Sequence, residues 1–235
     1  MIDEGVIGNI LRVIWIEPWY RTEAYYKSAS WRGTWKGEGG GVLMNQAPHT
    51  LDLLCSLVGL PTKVWGWTRT LRHSMECEDS AQAMFELANG SPGYFATNTI
   101  EAGQKATFKI IGERAAMEIE PTRLILTRFQ PDSNEFMMTS PEMFASPQSE
   151  VETIEFSGTG DGHLDVYRDL QNAIATGKVP RTAGSDAVKA LELANAIILS
   201  SYLEQPVTLP LDRAAYSELL QSLRAGNPPS KGQTA

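Results

Sequence analysis

A glycine triplet followed by polar side chains is the part of this sequence best suited to chemistry. The triplet at residues 39–41 precedes Asn45, His49 and Asp52, which follow one another at spacings of four and three residues. On a helix that begins at Asn45, these three side chains share one face. There the imidazole of His49 could act as a general acid or base, Asn45 could hold a substrate or orient the ring, and Asp52 could fix its tautomer. Three glycines beside such a site would let a ligand or another backbone approach closely.

A plainer interpretation accounts for the same three side chains. His49 would bond a backbone carbonyl at the start of the helix, Asn45 would only cap the helix, and Asp52 would be solvated. Because single sequences identify sites poorly, the residue types taken alone favour this plainer interpretation. Only information beyond residue type and spacing favours the first interpretation over the second.

An aromatic- and arginine-rich segment lies immediately before this region. Residues 19–41 show neither helical nor strand periodicity, and they contain Arg21 and Arg32, each next to an aromatic residue. A long irregular segment inside a compact domain is usually functional, and aromatic faces with guanidinium groups bind polar small molecules. The two arginines could therefore clamp a sugar or a phosphate of a nicotinamide cofactor. Stacking of each arginine on aromatic rings at the surface explains the pattern equally well.

The other histidines and the two cysteines give weaker signals. His73 stands at the end of a predicted strand and is expected to be exposed, whereas His163 stands at a predicted helix start, where it could cap the helix or contact a substrate. The three histidines do not have the spacing of a metal-binding motif, so we expect no metal site. Cys55 and Cys77 lie in no Cys-x-x-Cys pair and are predicted to be reduced thiols.

Composition limits the classes of partner and the compartment. With 20 basic and 28 acidic side chains, the net charge of −8 offers no basic stripe for nucleic acid. No apolar run approaches the roughly 18–20 residues that a membrane helix needs. The first ten residues hold acidic side chains and no basic segment, so a secretory signal is not expected. The composition therefore indicates a globular protein of the cytoplasm without nucleic-acid or membrane partners.

The elements that must position the candidate residues are those of an α+β domain. Residues 10–16 are rich in β-branched side chains and predict a first strand. The helix that carries His49 has an apolar stripe at helical spacing and is predicted to end at Gly59. Further strands joined by tight turns favour a mainly antiparallel sheet. They are predicted at 64–71, 80–88, 93–100, 107–111, 116–119, 123–129 and 151–156, and further helices begin at 161–163, at 185 and at 214.

Two more predictions concern the surface and the end of the chain. Trp65 and Trp67 share one face of the second strand, which is more typical of a core or of an interface between subunits than of a ligand pocket. Residues 226–235 are rich in proline, glycine and polar side chains and are expected to be disordered. This leaves one domain over residues 1–225.

The region from Gly39 to Leu54 resembles the second-domain signature of the glucose–fructose oxidoreductase, inositol dehydrogenase and rhizopine-catabolism (Gfo/Idh/MocA) family. The glycine triplet with Asn45 and His49 is the most specific part of this resemblance. It extends over nearly the whole chain, to about Leu223. The other stretches that agree, in the same order as in the family, are 5–8, 25–35, 79–90, 108–112, 169–177, 187–200 and 206–210.

The resemblance implies an NAD(P)-dependent oxidoreductase that acts on a sugar, a polyol or a related hydroxyl compound. His49 would be its acid/base residue. Asn45 stands where the family often has aspartate, and because an amide does not exchange a proton at neutral pH, Asn45 would position the substrate. Tyr26, Trp31 and Arg32 would line the substrate and nicotinamide end of the cleft, with Arg32 a candidate contact to the cofactor.

The resemblance also implies an architecture and a missing part. The family's second domain is an open, mainly antiparallel sheet backed by helices, and its free sheet face commonly pairs subunits into a homo-oligomer. The sequence lacks the family's amino-terminal Rossmann domain, with its Gly-x-Gly-x-x-Gly loop and its Glu-Lys-Pro lysine. NAD or NADP would therefore be bound mainly by this absent domain, which a separate chain could supply. This chain alone is expected to be inactive.

Two hypotheses of function follow from the resemblance and its missing part. In the first, the chain is the substrate-binding and catalytic-histidine half of an NAD(P)-dependent oxidoreductase. The alternative is a non-catalytic sugar-binding or dimerisation module that lacks a cofactor domain. The intact region around His49 favours the first hypothesis, whereas the absent Rossmann domain motivates the second.

Overall fold

A computed structural model describes residues 1–156 and 162–232. Within these residues nine strands form a single sheet. In chain order they are β1 (Ile10–Pro18), β2 (Lys63–Arg69), β3 (Ser80–Glu86), β4 (Pro92–Asn98), β5 (Thr107–Gly112), β6 (Ala115–Ile119), β7 (Arg123–Gln130), β8 (Gln148–Glu155) and β9 (Val207–Thr208). Across the sheet their order is β8-β7-β6-β5-β1-β4-β3-β2-β9.

One strand pair in this sheet is parallel. β1 runs parallel to β4, with Val13 opposite Gly93, whereas the other neighbouring strands in the described residues pair antiparallel. The mainly antiparallel α+β sheet predicted from the sequence is therefore confirmed. Because every described strand belongs to this sheet, the described part of the chain contains no Rossmann fold.

Seven helices accompany the sheet in the described residues. They are α1 (Glu23–Lys27), α2 (Val42–Asn45), α3 (Pro48–Val58), α4 (Ser133–Thr139), α5 (His163–Thr176), α6 (Gly184–Leu203) and α7 (Arg213–Arg224). The short helices α1 and α4 lie in segments where the sequence predicted no regular structure. The start of α5 agrees with the prediction at His163, while Asp161 lies outside the described residues.

The helix predicted to begin at Asn45 is two helices, which corrects the sequence analysis. Asn45 is the last residue of α2 rather than a cap, and α3 begins at Pro48. The backbone N–H groups of Gln46 and Ala47 both bond the Val42 carbonyl and close α2. Because proline has no N–H and fits the first turn of a helix, Pro48 starts a new helix instead of extending the old one.

α6 covers one face of the sheet and contacts β2 at short range. Gly66 of β2 donates its backbone N–H to Ser200 Oγ of α6 at 2.9 Å. A Cβ at Gly66 would lie 2.2 Å from the carbonyl oxygen of Ile197, so only glycine permits this approach. β3 adds the alternating side chains of Ala81 and Phe85 to the same buried core.

The opposite face of this part of the sheet is exposed. Trp65, Trp67 and Met84 are 58%, 38% and 63% exposed, so the two tryptophans do not belong to the core. Their role in an interface between subunits stays a prediction. In residues 1–156 and 162–232 we find no helix with the length and apolar character of a membrane span.

Part of the predicted disordered tail has defined contacts. Lys231 Nζ donates to the Thr68 carbonyl oxygen at 2.6 Å, and the Gly232 N–H donates to the Tyr202 carbonyl oxygen at 2.9 Å. Residues 233–235 lie outside the described residues. The boundary between a domain over residues 1–225 and a disordered tail stays a prediction.

Candidate active site

The first turn of α3 is fixed to the end of β1. Thr50 Oγ1 donates to Glu17 Oε2 at 2.9 Å, and the same oxygen accepts the indole N–H of Trp15 at 2.9 Å. The Trp15 ring in turn stacks on Phe108 with a centroid distance of 3.8 Å. His49, the residue before Thr50, therefore stands on backbone that is anchored to the sheet.

The side chain of His49 faces a polar cleft. His49 is exposed and lines a cleft of about 440 Å³ between α3 and the start of α6, together with Asp52 and Arg181. Neither ring nitrogen of His49 has a hydrogen-bond partner among the described residues, and Asp52 makes no hydrogen bond to it. An unengaged imidazole in a polar cleft can exchange a proton with a bound hydroxyl group. The tautomer-fixing contact expected from Asp52 is absent.

Tyr25 is the centre of a second group of polar side chains, which we call the Tyr25 cluster. Its hydroxyl donates to Asn45 Oδ1 at 2.9 Å and accepts hydrogen bonds from Arg32 Nη1 at 2.6 Å and Gln46 Nε2 at 3.1 Å. Asn45 Oδ1 also accepts from Gln46 Nε2 at 2.9 Å, and Asn45 Nδ2 donates to Glu38 Oε1. The cluster thus consists of Tyr25, Arg32, Glu38, Asn45 and Gln46.

These contacts limit what Asn45 can offer to a substrate. Its amide oxygen already accepts two hydrogen bonds, which is its full capacity. One of its two N–H groups is used by Glu38, so one N–H remains for a ligand. Asn45 therefore acts first as the link between the irregular segment and α2.

Arg32 lies between two aromatic rings. Its guanidinium carbon is 4.2 Å from the Tyr25 ring centroid and 4.5 Å from the Trp31 ring centroid. Nε donates to Ser28 Oγ at 3.2 Å, which leaves Nη2 without a partner among the described residues. The stacking interpretation made from the sequence describes this geometry, and the role of Arg32 in clamping a ligand stays a prediction. Arg21 instead donates to its own segment, through the Trp19 and Tyr20 carbonyls.

A buried carboxylate holds the glycine triplet. Glu78 Oε1 accepts the backbone N–H groups of Gly41 at 2.9 Å and Leu43 at 3.1 Å, and the Glu78 carbonyl accepts that of Val42 at 3.0 Å. Burial raises the pKa of Glu78 to about 7. Three consecutive N–H groups at the start of α2 thus bond one residue, and this fixes the backbone that leads to Asn45 and His49.

This fold and site can be compared with known proteins. The family model described as the GFO/IDH/MocA C-terminal domain matches residues 1–118, half of the chain. The chain belongs to the Gfo/Idh/MocA family. The sequence resemblance centred on the glycine triplet, Asn45 and His49 is therefore confirmed at the level of the family.

Several solved dehydrogenase structures have a fold similar to that of this chain. The WlbA dehydrogenase from Bordetella pertussis, in complex with NADH and UDP-GlcNAcA, is 27% identical with a TM-score of 0.69 over 90% of this chain and 58% of that chain. The WlbA dehydrogenase from Chromobacterium violaceum is also 27% identical, with a TM-score of 0.64 over 90% and 58%. Levoglucosan dehydrogenase in complex with NADH is 21% identical, with a TM-score of 0.71 over 89% and 61%, and shows similarity of fold.

This Gfo/Idh/MocA chain therefore spans about three-fifths of the length of the solved structures that it matches. No curated protein matches it.

The site residues predicted from the sequence lie in different parts of this Gfo/Idh/MocA structure. His49 lines the cleft, while Asn45, Trp31 and Arg32 lie in or against the Tyr25 cluster. His163 is exposed at the start of α5. Tyr26 is buried beneath the cluster, where its hydroxyl donates to Thr99 Oγ1 at 2.9 Å and burial raises its pKa to about 12. The substrate-lining roles of these residues stay predictions.

His73 is not exposed, which corrects the sequence analysis. Its side chain is 7% exposed, because Asp79 approaches it from the start of β3 and accepts its backbone N–H. No group of three histidine, cysteine or acidic side chains placed to hold a metal ion occurs within residues 1–156 and 162–232.

The sequence analysis missed Tyr25, Glu38 and Glu78 as residues that organise this Gfo/Idh/MocA site. Tyr25 adjoins Tyr26 on a short helix, and nothing in their types tells which ring faces Asn45. Glu38 directly precedes the glycine triplet, but it accepts the Gly33 N–H and the Asn45 amide rather than the N–H groups of the triplet, so its place in the sequence did not reveal its partners. Glu78 is distant in sequence and carried no signal.

We expect Asn45→Asp, which introduces the residue common in the family, to destabilise this chain near neutral pH. The new carboxylate would face Glu38, which now accepts the Asn45 amide. Carboxylates that share one site raise the pKa of one of them. The folded variant then retains a proton that the unfolded chain releases, so stability is lost as pH rises above the unfolded pKa of about 4.

A raised pKa of one to two units corresponds to a loss of about 1–3 kcal/mol in the free energy of unfolding near pH 7. Denaturant unfolding between pH 4 and pH 8 measures it. The control is the double variant Asn45→Asp with Glu38→Gln, in which an amide again meets a carboxylate and most of the stability returns. A double variant as unstable as Asn45→Asp alone at pH 7 would contradict the Asn45–Glu38 contact.

Proposed function

We propose that this chain is the substrate-binding and catalytic-histidine half of an NAD(P)-dependent oxidoreductase that acts on a sugar, a polyol or a related hydroxyl compound. The observation that carries the proposal is the unengaged, exposed imidazole of His49 at a polar cleft, on backbone anchored to the sheet by Thr50 and Glu17. Membership of the Gfo/Idh/MocA family supports it. The WlbA dehydrogenases, solved with NADH and UDP-GlcNAcA, support the substrate and cofactor classes.

In this proposal His49 handles the hydroxyl proton. During oxidation, His49 takes the proton of the substrate hydroxyl as the carbon–oxygen bond becomes a carbonyl, and in the reverse direction it returns the proton. A bound nicotinamide supplies acceptance or donation of the hydride at the carbon that bears this hydroxyl. Asn45 offers its one remaining N–H, and Arg32 Nη2 offers a charged donor to a sugar or to a cofactor phosphate.

The described residues of this chain would bind only a small part of the cofactor. The described strands form one mainly antiparallel sheet, and no described strand leads into a Gly-x-Gly-x-x-Gly loop of the kind that binds a dinucleotide. A Rossmann domain, in the same protein or in a separate chain, would supply that loop. From this chain, Arg32 would offer its free Nη2 donor to a cofactor phosphate.

The experiment that tests the proposal joins this chain to the Rossmann domain of the WlbA dehydrogenase from Bordetella pertussis. Formation of NADH or NADPH over a panel of sugars and polyols is then measured. Turnover with a hydroxyl substrate is the expected result. Sugar binding without turnover would favour the alternative, a non-catalytic sugar-binding or dimerisation module.

We also propose that the exposed sheet face pairs two copies of this chain. Trp65, Trp67 and Met84 form an apolar surface on neighbouring strands, and large exposed aromatic side chains are enriched at interfaces between subunits. Met84→Lys is expected to convert a dimer to a monomer in sedimentation velocity, because it buries an unpaired charge in the interface. Met138→Lys, at a comparably exposed methionine of α4, is the control and should leave the dimer intact. A wild-type chain that sediments as a monomer would contradict the pairing.

A further inference from the structure

His73 joins two segments that are far apart in the sequence. Its Nδ1 lies 3.2 Å from Asp79 Oδ2, and its Nε2 lies 3.0 Å from the carbonyl oxygen of Arg21. The ring also packs against Tyr26 with a centroid distance of 4.6 Å. The Arg21 carbonyl belongs to the irregular segment that leads into α1 and the Tyr25 cluster, so His73 contacts this segment directly.

Asp79 is a fully buried acceptor beside the ring. Its Oδ1 accepts the backbone N–H of Leu71 at 2.7 Å, and its Oδ2 accepts those of Arg72 at 2.9 Å and His73 at 3.0 Å. Oδ2 presents an acceptor to His73 Nδ1 as well.

Both ring nitrogens of His73 thus face acceptors. A neutral imidazole has one N–H and one lone pair, so it can donate to the Asp79 carboxylate or to the Arg21 carbonyl but not to both. In the neutral form one lone pair would point at an oxygen. In either form of the ring, neutral or protonated, the Arg21 carbonyl can only accept, so its contact at 3.0 Å requires a proton on His73 Nε2.

Further ionisable side chains lie on the segment that faces His73, including those of Arg21, Glu23 and Tyr26. A backbone hydrogen bond from Ser74 lowers the pKa of Glu23, with a further contribution from Lys27, so Glu23 adds a negative charge on the side of α1. Burial raises the pKa of the Tyr26 phenol to about 12, which keeps that neighbour neutral. The guanidinium of Arg21 is turned towards the Trp19 and Tyr20 carbonyls.

Beyond the catalytic residue proposed above, we propose that His73 is a positioning residue, which holds the Arg21 carbonyl and thereby keeps Tyr25 in contact with Asn45. Only three residues separate Arg21 from Tyr25, and a parallel contact, from the Ser74 N–H to Glu23 Oε2 at 3.2 Å, fixes the same stretch. The role of the Tyr25 cluster in binding a substrate rests on the proposed function. The positioning of the cluster by His73 does not depend on it.

The first test observes the ring of His73. The chain contains three histidines, so selective ¹⁵N labelling of histidine gives few signals, and single His→Gln variants assign them. His73 Nε2 is expected to carry a proton that is protected from exchange, because this N–H donates to the Arg21 carbonyl. A His73 ring without a proton on Nε2 would overturn the proposal, because such a ring cannot donate to the Arg21 carbonyl.

The second test measures which residues exchange their amide hydrogens faster when His73 is replaced. In His73→Gln, amide hydrogen exchange over residues 21–28 is expected to rise about fivefold or more, as for the loss of one hydrogen bond, and the side-chain amide signal of Asn45 should shift. Exchange in β3 and β4 should stay unchanged. A change confined to residues 70–79 would mean that His73 only stabilises its own turn, and it would overturn the proposal.

The control for both tests is His163→Gln. His163 is exposed at the start of α5 and lies on a different element from these segments. Its loss is expected to leave exchange over residues 21–28 at the wild-type rate. Neither test measures activity, so a failure of the proposed function and a failure of the positioning role are distinguishable.

Discussion

His49→Ala is expected to lower turnover of the joined protein by about 10²- to 10⁴-fold, the usual contribution of a positioned general acid or base. The reason is that no other described side chain in the cleft has an unengaged imidazole to take the hydroxyl proton. The same change should leave the free energy of unfolding within about 0.5 kcal/mol, because an exposed side chain without hydrogen bonds contributes little to stability. Steady-state NADH or NADPH formation and denaturant unfolding measure the two quantities.

The stability measurement separates a chemical role for His49 from a structural one. Lys178→Ala removes an exposed charge outside the site and serves as the matched control, with turnover expected at the wild-type rate. Equal turnover in wild type and His49→Ala would contradict the acid/base role. A large loss of stability in His49→Ala would instead show that the ring serves the fold, as the plainer interpretation of the sequence has it.

Gly41→Ala is expected to be the most destabilising single methyl addition near the site. A Cβ at Gly41 would lie 1.9 Å from the carbonyl oxygen of Glu78, which belongs to the backbone just before β3 and cannot rotate away. Either the start of α2 or the start of β3 must then move, which breaks the hydrogen bonds from Gly41 and Leu43 to the Glu78 carboxylate. We expect a loss of about 3 kcal/mol in the free energy of unfolding, at the upper end for overpacking.

The matched control is Gly184→Ala. Gly184 is the first residue of α6, and a Cβ there would meet nothing within 4 Å. Since alanine is the better helix former, this change should be neutral or stabilise the protein by up to about 1 kcal/mol. Denaturant unfolding of both variants decides the question. Equal stability of Gly41→Ala and Gly184→Ala would mean that the close approach of Gly41 to Glu78 is wrong.

The sheet could be predicted from local patterns because its strands are specified by short-range signals. Side chains in β3 alternate between buried and exposed, and Asn89-Gly90 forms the tight turn to β4, with Gly90 at a φ of +83°. Such features need only a few neighbouring residues. The same is true of Gly59 at the end of α3, whereas the start of this helix was predicted at Asn45 and lies at Pro48.

The site was predicted less completely because its contacts are long-range. His73 stands at the end of a predicted strand in the sequence, and it is buried only because Asp79 and the Arg21 carbonyl meet at its ring. Tyr25 and Tyr26 have the same chemistry, and the packing of α1 alone decides that Tyr25 faces Asn45. The glycine triplet identified the region of the candidate site. It could not identify the residues that fix the backbone of this region.

The most direct test of the central claim is product formation by this chain joined to the Rossmann domain of the WlbA dehydrogenase from Bordetella pertussis. The joined protein and the Rossmann domain alone are assayed side by side with NAD and with NADP over the panel of sugars and polyols. We predict that the joined protein forms NADH or NADPH with at least one member, whereas the Rossmann domain alone forms none. Rates no higher than those of the Rossmann domain alone for every member, with the joined protein folded and the cofactor bound, would contradict the claim that this chain supplies the substrate site and the acid/base residue.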